Sequence, residues 1–590
     1  MSDAAMGLPL PPVAAEGELA FPQLLALGLS GLHCAGGGAE KDAAAIATAS
    51  RLVGEAILDG HIRLVLADLP PTVDGAALQA ALRRSPVVGT DVGAGAHPLV
   101  LADGALYLAR YRDYEQRFQA VLQRLNRPST SIDAAALRTE LDRQFVATTG
   151  TQQPDWQKVA AATGVLRQLC VISGGPGTGK TTTVVRILAI LLTLNPRLNI
   201  AIAAPTGKAA ARVQESIRLQ LAAMNLPAAV AAGLPRQSHT IHRLLGYRSG
   251  QTQFRHGREN RLPYDVVVVD EASMLDLALG AKLAEALKDD ARLILLGDKD
   301  QLSSVEAGAV YAGVSSGRAV TAPWAQRLAA ATGQAVPVVL AEAAPLADAV
   351  VWLEHSYRFA GDSALGRLAR AINGSDAPAA IAILRSGAAE LGWTEALPSP
   401  AVVVEELLQG YEPFIAAVRD ARPAAEVFAA FDQFRVLCST REGRYGSQRM
   451  AAMLLEALRL RLGRGHVDRW FVGRPVLVTR NDYDSKLFNG DVGIVLPDES
   501  GHALVHFPAT DGGMRALSPM RLGHVEDALA VTVHRAQGSE FERVALVIEP
   551  QALRGLSRSL MYTGVTRARK GLRLYSQASA LATVLEASNN

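Results

Sequence analysis

The sequence has few cysteines, few aromatic residues and almost no net charge. Its 590 residues include only Cys34, Cys170 and Cys438, which suit neither a disulfide framework nor a C-x-x-C metal site. No run approaches the about 18 apolar residues of a membrane span, and the first residues do not resemble a signal peptide. With a net charge of +2, any nucleic-acid surface must be local. These absences predict a cytoplasmic protein.

Lysine is also rare, since nine of the 59 basic residues are lysines. Arginine and lysine are not interchangeable, so a lysine retained in an arginine-biased chain indicates a position worth inspecting. Lys180, Lys208 and Lys299 fall within the motifs described below.

The order of apolar runs predicts an α/β fold with several domains. Short continuous apolar runs alternate with helical patterns, which is typical of doubly wound parallel sheets covered on both faces. These predicted strands are residues 169–173, 199–204, 266–270 and 293–298, then 434–440, 528–534, 543–550 and 571–576.

The remaining segments differ in texture. A hairpin turning at Asp103-Gly104 is predicted near the end of a non-catalytic region 1–112, and a helix from residue 113. Residues 324–350, rich in alanine, are predicted to be a connector, and 472–526 a small inserted antiparallel β-barrel. These differences divide the chain into three predicted regions, residues 1–112, 113–335 and 336–590.

A phosphate-binding loop follows the first strand of the middle third. The stretch "SGGPGTGKTTT" matches GxxxxGK[ST] between a predicted strand and helix, where backbone N–H groups can cradle phosphates. Lys180 would reach the β- and γ-phosphates and Thr181 would hold Mg²⁺. The nucleotide-binding residues of this loop are Gly174, Gly175, Pro176, Gly177, Thr178, Gly179, Lys180, Thr181 and Thr182.

Two further groups of polar residues follow predicted strands. Asp270 ends a strand of four valines and could hold Mg²⁺, and Glu271 beside it could accept a proton from attacking water. Asp298, Asp300 and Gln301 follow the next strand, and Gln301 could orient that water. Because ligands of parallel sheets bind at the carboxyl ends of strands, these residues predict a site for hydrolysis of ATP.

Ten stretches together resemble superfamily-one helicases of the RecD family, in that family's order. They span residues 155–576 and include "DWQKVAAA", "GGPGTGKTTTV", "AAPTGKAAARV", "SHTIHRLLGY", "VVVVDEASM", "LLGDKDQL", "HSYRF", "GRPVLVTRNDYDSKLFNGDVGIV", "VTVHRAQGSEF" and "LMYTGVTRARKGL". The resemblance implies two RecA-like motor domains, residues 113–335 and 336–590, that hydrolyse ATP with Mg²⁺ and move along DNA from 5′ to 3′. It also implies that residues 1–112 form an N-terminal docking domain for partner chains.

The resemblance also implies roles for individual residues. Gln157 would contact adenine, Gly538 and Glu540 the ribose, and Arg358 and Arg567 the γ-phosphate. The implied DNA contacts are Pro205, Thr206, Lys208, Thr240, His242, Thr532, His534 and Gln537. The two histidines could instead be packed loop residues. Residues 246–265, where the family has a β-hairpin, could separate strands or form a solvated loop.

Members of this family work with RecB-type and RecC-type subunits, so the resemblance implies a heterotrimer that unwinds duplex ends for recombinational repair. Two alternatives remain at this point: a free-standing relative, and a regulatory subunit that uses ATP binding only as a switch. "DYDSK" at 482–486 could suggest a nuclease metal site, but it belongs to the helicase pattern. Nuclease activity is therefore expected in a partner chain.

Overall fold

The computed structural model describes fourteen segments of the chain. They are residues 20–91, 97–129, 132–145, 154–224, 226–248, 253–303, 307–308, 310–340, 346–357, 363–465, 468–482, 484–509, 513–551 and 556–587. Two compact units are present, the first drawn from positions 1–122, 275–285 and 304–310 and the second from the rest. Within the described segments, no helix is long and apolar enough to cross a membrane.

The first unit contains a four-stranded sheet and helices. Its elements are α1 (Phe21–Ala35), α2 (Ala43–Leu58), β1 (Arg63–Val65), α3 (Gly75–Arg84), β2 (Val88–Gly89), β3 (Leu99–Ala102), β4 (Ala105–Leu108) and α4 (Ala109–Leu125). The strand order is β1-β4-β3-β2. Leu29, Ile46, Leu82 and Leu106 are among the residues of its apolar core.

The hairpin predicted in this region is present. β3 and β4 pair antiparallel, with Ala102 opposite Ala105. Asp103 (φ 52°) and Gly104 (φ 73°) both adopt left-handed backbone conformations, as a two-residue hairpin turn requires. Asp-Gly is a preferred pair for this geometry because aspartate tolerates the left-handed region and glycine has no Cβ.

The predicted start of the next helix is wrong by a few residues, and the domain boundary predicted beside it stays a prediction. α4 begins at Ala109, directly after β4, so a boundary at residue 112 cuts through a helix. The first unit also includes residues from 275–285 and 304–310, far along the chain. Inside this unit Arg117 on α4 forms an ion pair with Glu285 (3.2 Å). No local sequence pattern predicts this long-range contact.

The second unit begins with a six-stranded parallel sheet. Its region of the chain contains α5 (Ala134–Gln144), α6 (Trp156–Leu166), β5 (Leu169–Gly174), α7 (Lys180–Leu194), β6 (Ile200–Ala204), α8 (Gly207–Ala223), α9 (Ala228–Gly233), β7 (His239–Thr240), α10 (Ile241–Leu244), β8 (Val266–Val269), β9 (Arg292–Gly297), α12 (Val310–Ser315), α13 (Ala322–Thr332) and β10 (Val350–Leu353). The helix between β8 and β9, α11 (Leu277–Ala286), belongs to the first unit except for its last residue. The strand order is β10-β5-β9-β8-β6-β7, and every pairing is parallel.

The apolar runs of the sequence form the centre of this sheet. All residues of β5, β6, β8 and β9 are buried, which explains why each strand reads as a continuous apolar run without alternation. The carboxyl ends of β5, β8 and β9 carry the phosphate loop, Asp270 and Asp298. The topology therefore brings the three predicted motifs to one edge of the sheet.

The alanine-rich stretch predicted to be a connector contains most of α13, and β10 of this sheet begins at its last residue. α13 buries Trp324, and the guanidinium of Arg167 lies 4.8 Å from the centre of its ring. β10 pairs with β5, with Val350 opposite Val171, although the predicted boundary assigned it to the second motor domain. The sequence did not predict these elements because an alanine-rich segment shows little of the hydrophobic periodicity that distinguishes helices and strands.

The rest of the second unit contains a second parallel sheet. Its region includes α14 (Ala364–Asn373), α15 (Ala377–Arg385), β11 (Leu391–Thr394), α16 (Pro400–Gly410), α17 (Glu412–Arg419), α18 (Ala424–Phe431), β12 (Phe434–Cys438), α19 (Ser447–Arg461), β13 (Pro475–Val478), β14 (Val492–Pro497), β15 (Ala503–Pro508), β16 (Met514–Leu517), β17 (Val525–Asp527), β18 (Ala530–Thr532), β19 (Phe541–Val547), α20 (Arg558–Thr566), β20 (Ala568–Tyr575) and α21 (Ala578–Ala587). The parallel order is β11-β20-β19-β12-β18.

The strands β13 to β17 form a separate antiparallel sheet of order β16-β15-β14-β13-β17. This sheet lies between β12 and β18 in the chain, as predicted for the insert. It has its own apolar core, which includes Val476, Val495 and Phe507. Closure of the sheet into a barrel remains a prediction, because β16 and β17 are its edge strands in the described pairings.

Candidate nucleotide and nucleic-acid site

The phosphate loop connects β5 to α7 and has the backbone geometry of an anion site. Gly177 (φ 76°) and Gly179 (φ 83°) adopt left-handed conformations that favour glycine. A Cβ on Gly179 would lie 2.2 Å from Nε2 of Gln157, so a larger residue here would also have to displace the Gln157 side chain. Gly179 is the N-cap of α7 and supplies no capping side chain, which leaves the first N–H groups of the helix for a phosphate.

Lys180 lies at the first position of α7 and points back over the loop. Its Nζ donates hydrogen bonds to the carbonyl oxygens of Gly174 and, at 3.2 Å, of Gly175. These two carbonyl oxygens accept hydrogen bonds from the ammonium group of Lys180. Phosphate oxygens would take their place as acceptors when a nucleotide binds. Thr181 and Thr182 follow in the first turn and are partly exposed. The arrangement is suited to exchanging neutral carbonyl acceptors for charged phosphate oxygens.

Asp270 and Glu271 lie at the end of β8. Asp270 is 7% exposed. The pKa of Asp270 is raised to about 6, mainly because the carboxyl is buried and secondly because the Glu271 carboxylate lies beside it. Its Oδ1 accepts from the backbone N–H of Glu271 at 2.8 Å. Glu271 has a φ of 51°, and a non-glycine residue in this region is strained, which is a feature that concentrates at functional sites.

The third motif joins the two parallel sheets. Nε2 of Gln301 donates to Oδ2 of Asp298 at 3.0 Å, and Oε1 of Gln301 accepts from Nη2 of Arg567 at 2.8 Å. Arg567 directly follows α20 and is only 2% exposed. Its Nη1 also donates to the carbonyl of Ser539 at 3.0 Å. An arginine that precedes β20 of the second sheet thus reaches a glutamine that follows β9 of the first. Its predicted contact with the γ-phosphate stays a prediction.

Two residues of α20 were not singled out from the sequence. A Cβ on Gly175 would lie 2.8 Å from the hydroxyl of Tyr562, so that hydroxyl closes over the phosphate loop. Burial and the nearby Asp298 raise the pKa of Tyr562 well above its usual value. Oγ1 of Thr563 accepts from the backbone N–H of Leu302 at 2.9 Å. Helical spacing offered a signal, because Thr563 is four residues before Arg567 and shares its face.

The opposite end of the loop is lined by Gln157 and Tyr357. Nε2 of Gln157 donates to the carbonyl of Thr178 at 2.9 Å, and the backbone N–H of Tyr357 donates to the carbonyl of Gly177 at 2.8 Å. The Tyr357 side chain is among the exposed large side chains, at 65%. An exposed aromatic ring beside a phosphate loop is a surface on which a base can stack. The predicted γ-phosphate contact Arg358 lies outside the described residues.

The predicted ribose contacts Gly538 and Glu540 take part in a charged contact between the two sheets. Oε2 of Glu540 accepts from Arg212 on α8 at 2.5 Å and from Arg569 on β20 at 3.0 Å. The carbonyl of Gly538 accepts from Nη1 of Arg212 at 3.0 Å. Arg212 was quoted within a motif but not recognised as functional from the sequence.

Three threonines predicted to contact DNA each begin a helix or turn. Oγ1 of Thr206 accepts from the backbone N–H of Ala209 at the start of α8, at 3.2 Å. Thr240 caps α10 in the same way, also at 3.2 Å. Thr532 accepts from the backbone N–H of Arg535 at 3.3 Å. As caps they fix the local backbone, and each hydroxyl retains a proton that can be donated to a phosphate.

Thr206 and Thr240 are brought to the same edge of the first sheet. β6 and β7 pair in parallel, with Ala204 opposite Thr240, and Pro205 and Thr206 follow β6 directly. Thr532 is the last residue of β18 in the second sheet. Both sheets therefore present a hydroxyl at the carboxyl end of an edge strand.

His242 is exposed and lies in a group of three aromatic rings. Its ring centre is 6.1 Å from that of Tyr247 and 5.7 Å from that of Phe254. The hairpin predicted for 246–265 is not seen in its described part, because residues 246–248 and 253–265 contain turns and bends but no strand. The aromatic group nevertheless offers stacking surfaces for unpaired bases.

Lys208, His534 and Gln537 are in more restricted surroundings. Burial, followed by the charge of Arg435, lowers the pKa of Lys208 to about 8. Burial also lowers the pKa of His534. The amide of Gln537 is buried and donates to the carbonyl of Leu302 at 2.9 Å, so the structure gives Gln537 a contact between the sheets that the sequence did not suggest.

Asp482, from the stretch considered as a nuclease site, organises a turn. Its Oδ1 accepts from the backbone N–H groups of Asp484 and Ser485 at 3.1 and 3.0 Å. Over the described part of the chain, no group of three or more His, Cys, Asp or Glu residues is arranged to hold a metal ion.

Two domain models match the chain over the regions that build this site. The AAA domain matches residues 157–307, which contain the phosphate loop, Asp270 and Gln301. The UvrD-like helicase C-terminal domain matches residues 527–575, which contain Thr532, Glu540 and Arg567. Fold and site together define a nucleotide-binding P-loop protein of the helicase class, in which a second parallel sheet contributes to the nucleotide site.

Full-length relatives define the family within this class. RecBCD enzyme subunit RecD of Mycobacterium tuberculosis (strain ATCC 25618 / H37Rv) is 36% identical, over 96% of this chain and 94% of the relative. RecD of Haemophilus influenzae is 33% identical, over 83% and 79%. The chain belongs to the RecD family of RecBCD enzyme subunits.

A more distant relative and a solved structure are also similar. The ATP-dependent RecD2 DNA helicase of Deinococcus radiodurans is 32% identical, but this chain covers only 47% of it. The Pif1 helicase from Candida albicans has a TM-score of 0.38 and 16% identity, over 74% of this chain and 98% of that one. A TM-score this low supports no conclusion, and the family assignment rests on the RecD sequences.

Proposed function

We propose that this protein is the ATP-dependent DNA helicase subunit of a RecBCD-type enzyme. ATP hydrolysis between its two parallel sheets would drive 5′→3′ movement along one strand and unwind duplex DNA ends during recombinational repair. The observation that carries this proposal is the hydrogen bond between Arg567 and Gln301, which joins the sheets at the nucleotide site. A nucleotide held there makes closure of the two sheets depend on the state of its phosphates.

The residues at the loop fit an ATP molecule with Mg²⁺. Thr181 and Asp270 offer a hydroxyl and a buried carboxylate, the hard oxygen ligands that Mg²⁺ prefers, and Asp270 lies close enough to Lys180 for their charges to interact. They would hold the ion, which would neutralise negative charge on the phosphates. Lys180 would bind the β- and γ-phosphates, and Glu271 would accept the proton of the attacking water.

The DNA strand is proposed to lie across the carboxyl ends of β6, β7 and β18. Hydroxyls and amides suit contacts to the phosphate backbone, which carry no sequence information, and the rings beside His242 suit stacking with unpaired bases. Gln537 is the weakest member of this predicted set because its amide already bonds to Leu302.

The partners are proposed from the family. RecB-type and RecC-type subunits would complete a heterotrimer, and nuclease activity would reside in a partner chain. The first compact unit, which extends the predicted docking domain beyond residue 112, is the proposed docking region. A protein acting on chromosomal DNA with these partners would work in the cytoplasm.

The affinity for single-stranded DNA should depend on pH through Lys208. Its pKa is lowered to about 8 in the free protein, so the ammonium form that binds phosphate is lost as the pH rises above about 8. If binding restores an ordinary lysine pKa, affinity should fall about tenfold between about pH 7 and 9 at fixed salt. Fluorescence anisotropy with a labelled oligonucleotide measures this. Lys208→Arg should remove the pH dependence, since arginine stays charged over this range. If the variant keeps the pH profile of the wild type, Lys208 is not the group responsible.

The proposed function is tested by the ATPase activity of the purified chain. Addition of a single-stranded oligonucleotide should stimulate ATP hydrolysis strongly. Lys180→Gln should abolish the stimulated rate because the amide carries no charge to hold the phosphates. A folded protein that binds ATP but is not stimulated by DNA would instead favour the alternative of a subunit that uses ATP as a switch. Repeating the assay with both partner chains, one motor inactivated at a time, would then decide.

A further inference from the structure

One arginine of α8, Arg212, lies between the proposed DNA contacts and the nucleotide site. α8 begins at Gly207, is capped by Thr206 and carries Lys208 in its first turn. Arg212 follows Thr206 by six residues, which is about 9 Å along a helix. The start of α8 thus faces the proposed DNA strand, while Arg212 reaches the second sheet.

Arg212 is held by two contacts to the segment before β19. Its Nη1 donates to the carbonyl of Gly538 at 3.0 Å, and its Nη2 pairs with Oε2 of Glu540 at 2.5 Å. The Glu540 side chain is 8% exposed and that of Arg212 is 33% exposed. A charge-assisted bond with one largely buried partner is stronger and more sharply oriented than a surface pair.

The same short segment also holds the arginine of the nucleotide site. The carbonyl of Ser539, between the two positions bound by Arg212, accepts from Nη1 of Arg567 at 3.0 Å. Arg567 in turn donates to Gln301 at 2.8 Å. A continuous series of contacts therefore leads from the first turn of α8 through Arg212 and residues 538–540 to Arg567.

The charges around Arg212 agree with this position. Besides Glu540, the carboxylates of Glu271 and Asp270 lie close enough to stabilise its positive charge. On the other side, its charge acts on Lys208. Arg212 thus lies within electrostatic range of both the DNA-side lysine and the carboxylates of the nucleotide site.

We propose that Arg212 is a positioning residue that couples DNA binding at the start of α8 to the placement of Arg567 at the nucleotide. A strand bound at Thr206 and Lys208 fixes α8, and Arg212 transmits the position of that rigid helix to residues 538–540. This inference rests on the proposed function. It predicts that Arg212 governs the stimulation of ATP hydrolysis by DNA more than the binding of either ligand.

The test compares Arg212→Gln with Arg218→Gln in the full chain. Arg212→Gln should reduce the stimulation by single-stranded DNA roughly 3- to 30-fold, the size of known coupling effects, with little change in the oligonucleotide concentration that gives half-maximal stimulation. Arg218 lies on the same helix but forms a surface pair with the exposed Glu215, so its replacement should change nothing. Melting temperatures of both variants would show whether the fold is retained.

Two further variants keep the test decisive. Arg212→Lys retains the charge but cannot bond to Gly538 and Glu540 in the same way, so it should lose an intermediate part of the stimulation. In a double-mutant cycle, the variant with both Arg212→Gln and Glu540→Gln should lose less DNA stimulation than the sum of the losses in the two single variants. The reason is that the two substitutions remove the same contact.

The outcomes separate this inference from the function beneath it. If the wild type is stimulated by DNA but Arg212→Gln is stimulated equally, the coupling role is overturned and the helicase function stands. Equal losses of the DNA-free and DNA-stimulated rates would also overturn it, since they indicate damage to the nucleotide site itself. If the wild type shows no stimulation, either alone or together with both partner chains, both proposals fail.

Discussion

Replacing Arg567 by alanine is expected to lower DNA-stimulated ATP hydrolysis by about 10³–10⁵-fold, while ATP still binds. Arg567 is 2% exposed, and its Nη2 donates a hydrogen bond to Gln301 at the edge that carries the phosphate loop. Negative charge spreads over the phosphoryl group during transfer, and a buried cation stabilises it far more than a solvated one does. The rate loss should therefore appear in kcat rather than in the affinity for ATP.

Controls are needed because Arg567 also supports the fold. Its guanidinium donates to the carbonyls of Ser539 and Thr563 at 3.0 and 3.3 Å, and their loss leaves buried acceptors without a donor. Arg567→Lys keeps a charge near the site and should fold more readily than the alanine variant. Arg573→Ala removes a half-exposed arginine of β20 and should leave the rate unchanged. A proportional loss of ATP affinity in Arg567→Ala would contradict the proposed role.

Glu271→Gln is expected to lower the rate of hydrolysis by about 10²–10⁴-fold, the usual contribution of a general base. Glutamine has the same shape and can occupy the same left-handed backbone position, but its amide cannot accept the proton of the attacking water. Removing this carboxylate should also lower the pKa of Asp270, because the Glu271 charge is one of the causes that raise it. Nucleotide binding should therefore be preserved or strengthened.

Single-turnover hydrolysis, beside equilibrium binding of ATP, measures both expectations for Glu271→Gln. Glu285→Gln provides a matched control, because Glu285 pairs with Arg117 in the first compact unit and carries no proposed catalytic role. A loss smaller than about tenfold would show that another group accepts the proton. Failure to bind ATP would show instead that Glu271 is required for the architecture of the site.

Much of the site was predictable because its chemistry is local. The phosphate loop requires left-handed glycines at 177 and 179 and a lysine at the start of a helix, all within eight residues. The carboxylate pair after four valines follows from a buried parallel strand that ends at the ligand edge. The hairpin at Asp103-Gly104 was predictable for the same reason, since two residues determine the turn.

Several elements and contacts were not predictable, because they depend on distant partners. β10 joins the first sheet beside β5 although about 180 residues separate them, and alanine-rich surroundings gave it no contrast. The position of Tyr562 over Gly175 and the bond from Thr563 to Leu302 exist only once the two sheets are assembled. Arg212 and Glu540 lie in two separate motif stretches, and no local pattern in either stretch predicts that they pair.

The sequence by itself determined the class of fold, the phosphate loop, the catalytic candidates and the family. The fold class, the phosphate loop and the candidate carboxylates follow from backbone conformations, strand burial or residue types that neighbouring positions encode. The family and the candidates Arg358 and Arg567 follow from the resemblance of ten stretches to the RecD helicases. Only the tertiary structure decided which arginine reaches Gln301 and how residues 538–540 connect α8 to Arg567. The packing of whole sheets determines such contacts. A guanidinium hydrogen-bonds to protein acceptors in place of water only when that packing buries the guanidinium and the acceptors together.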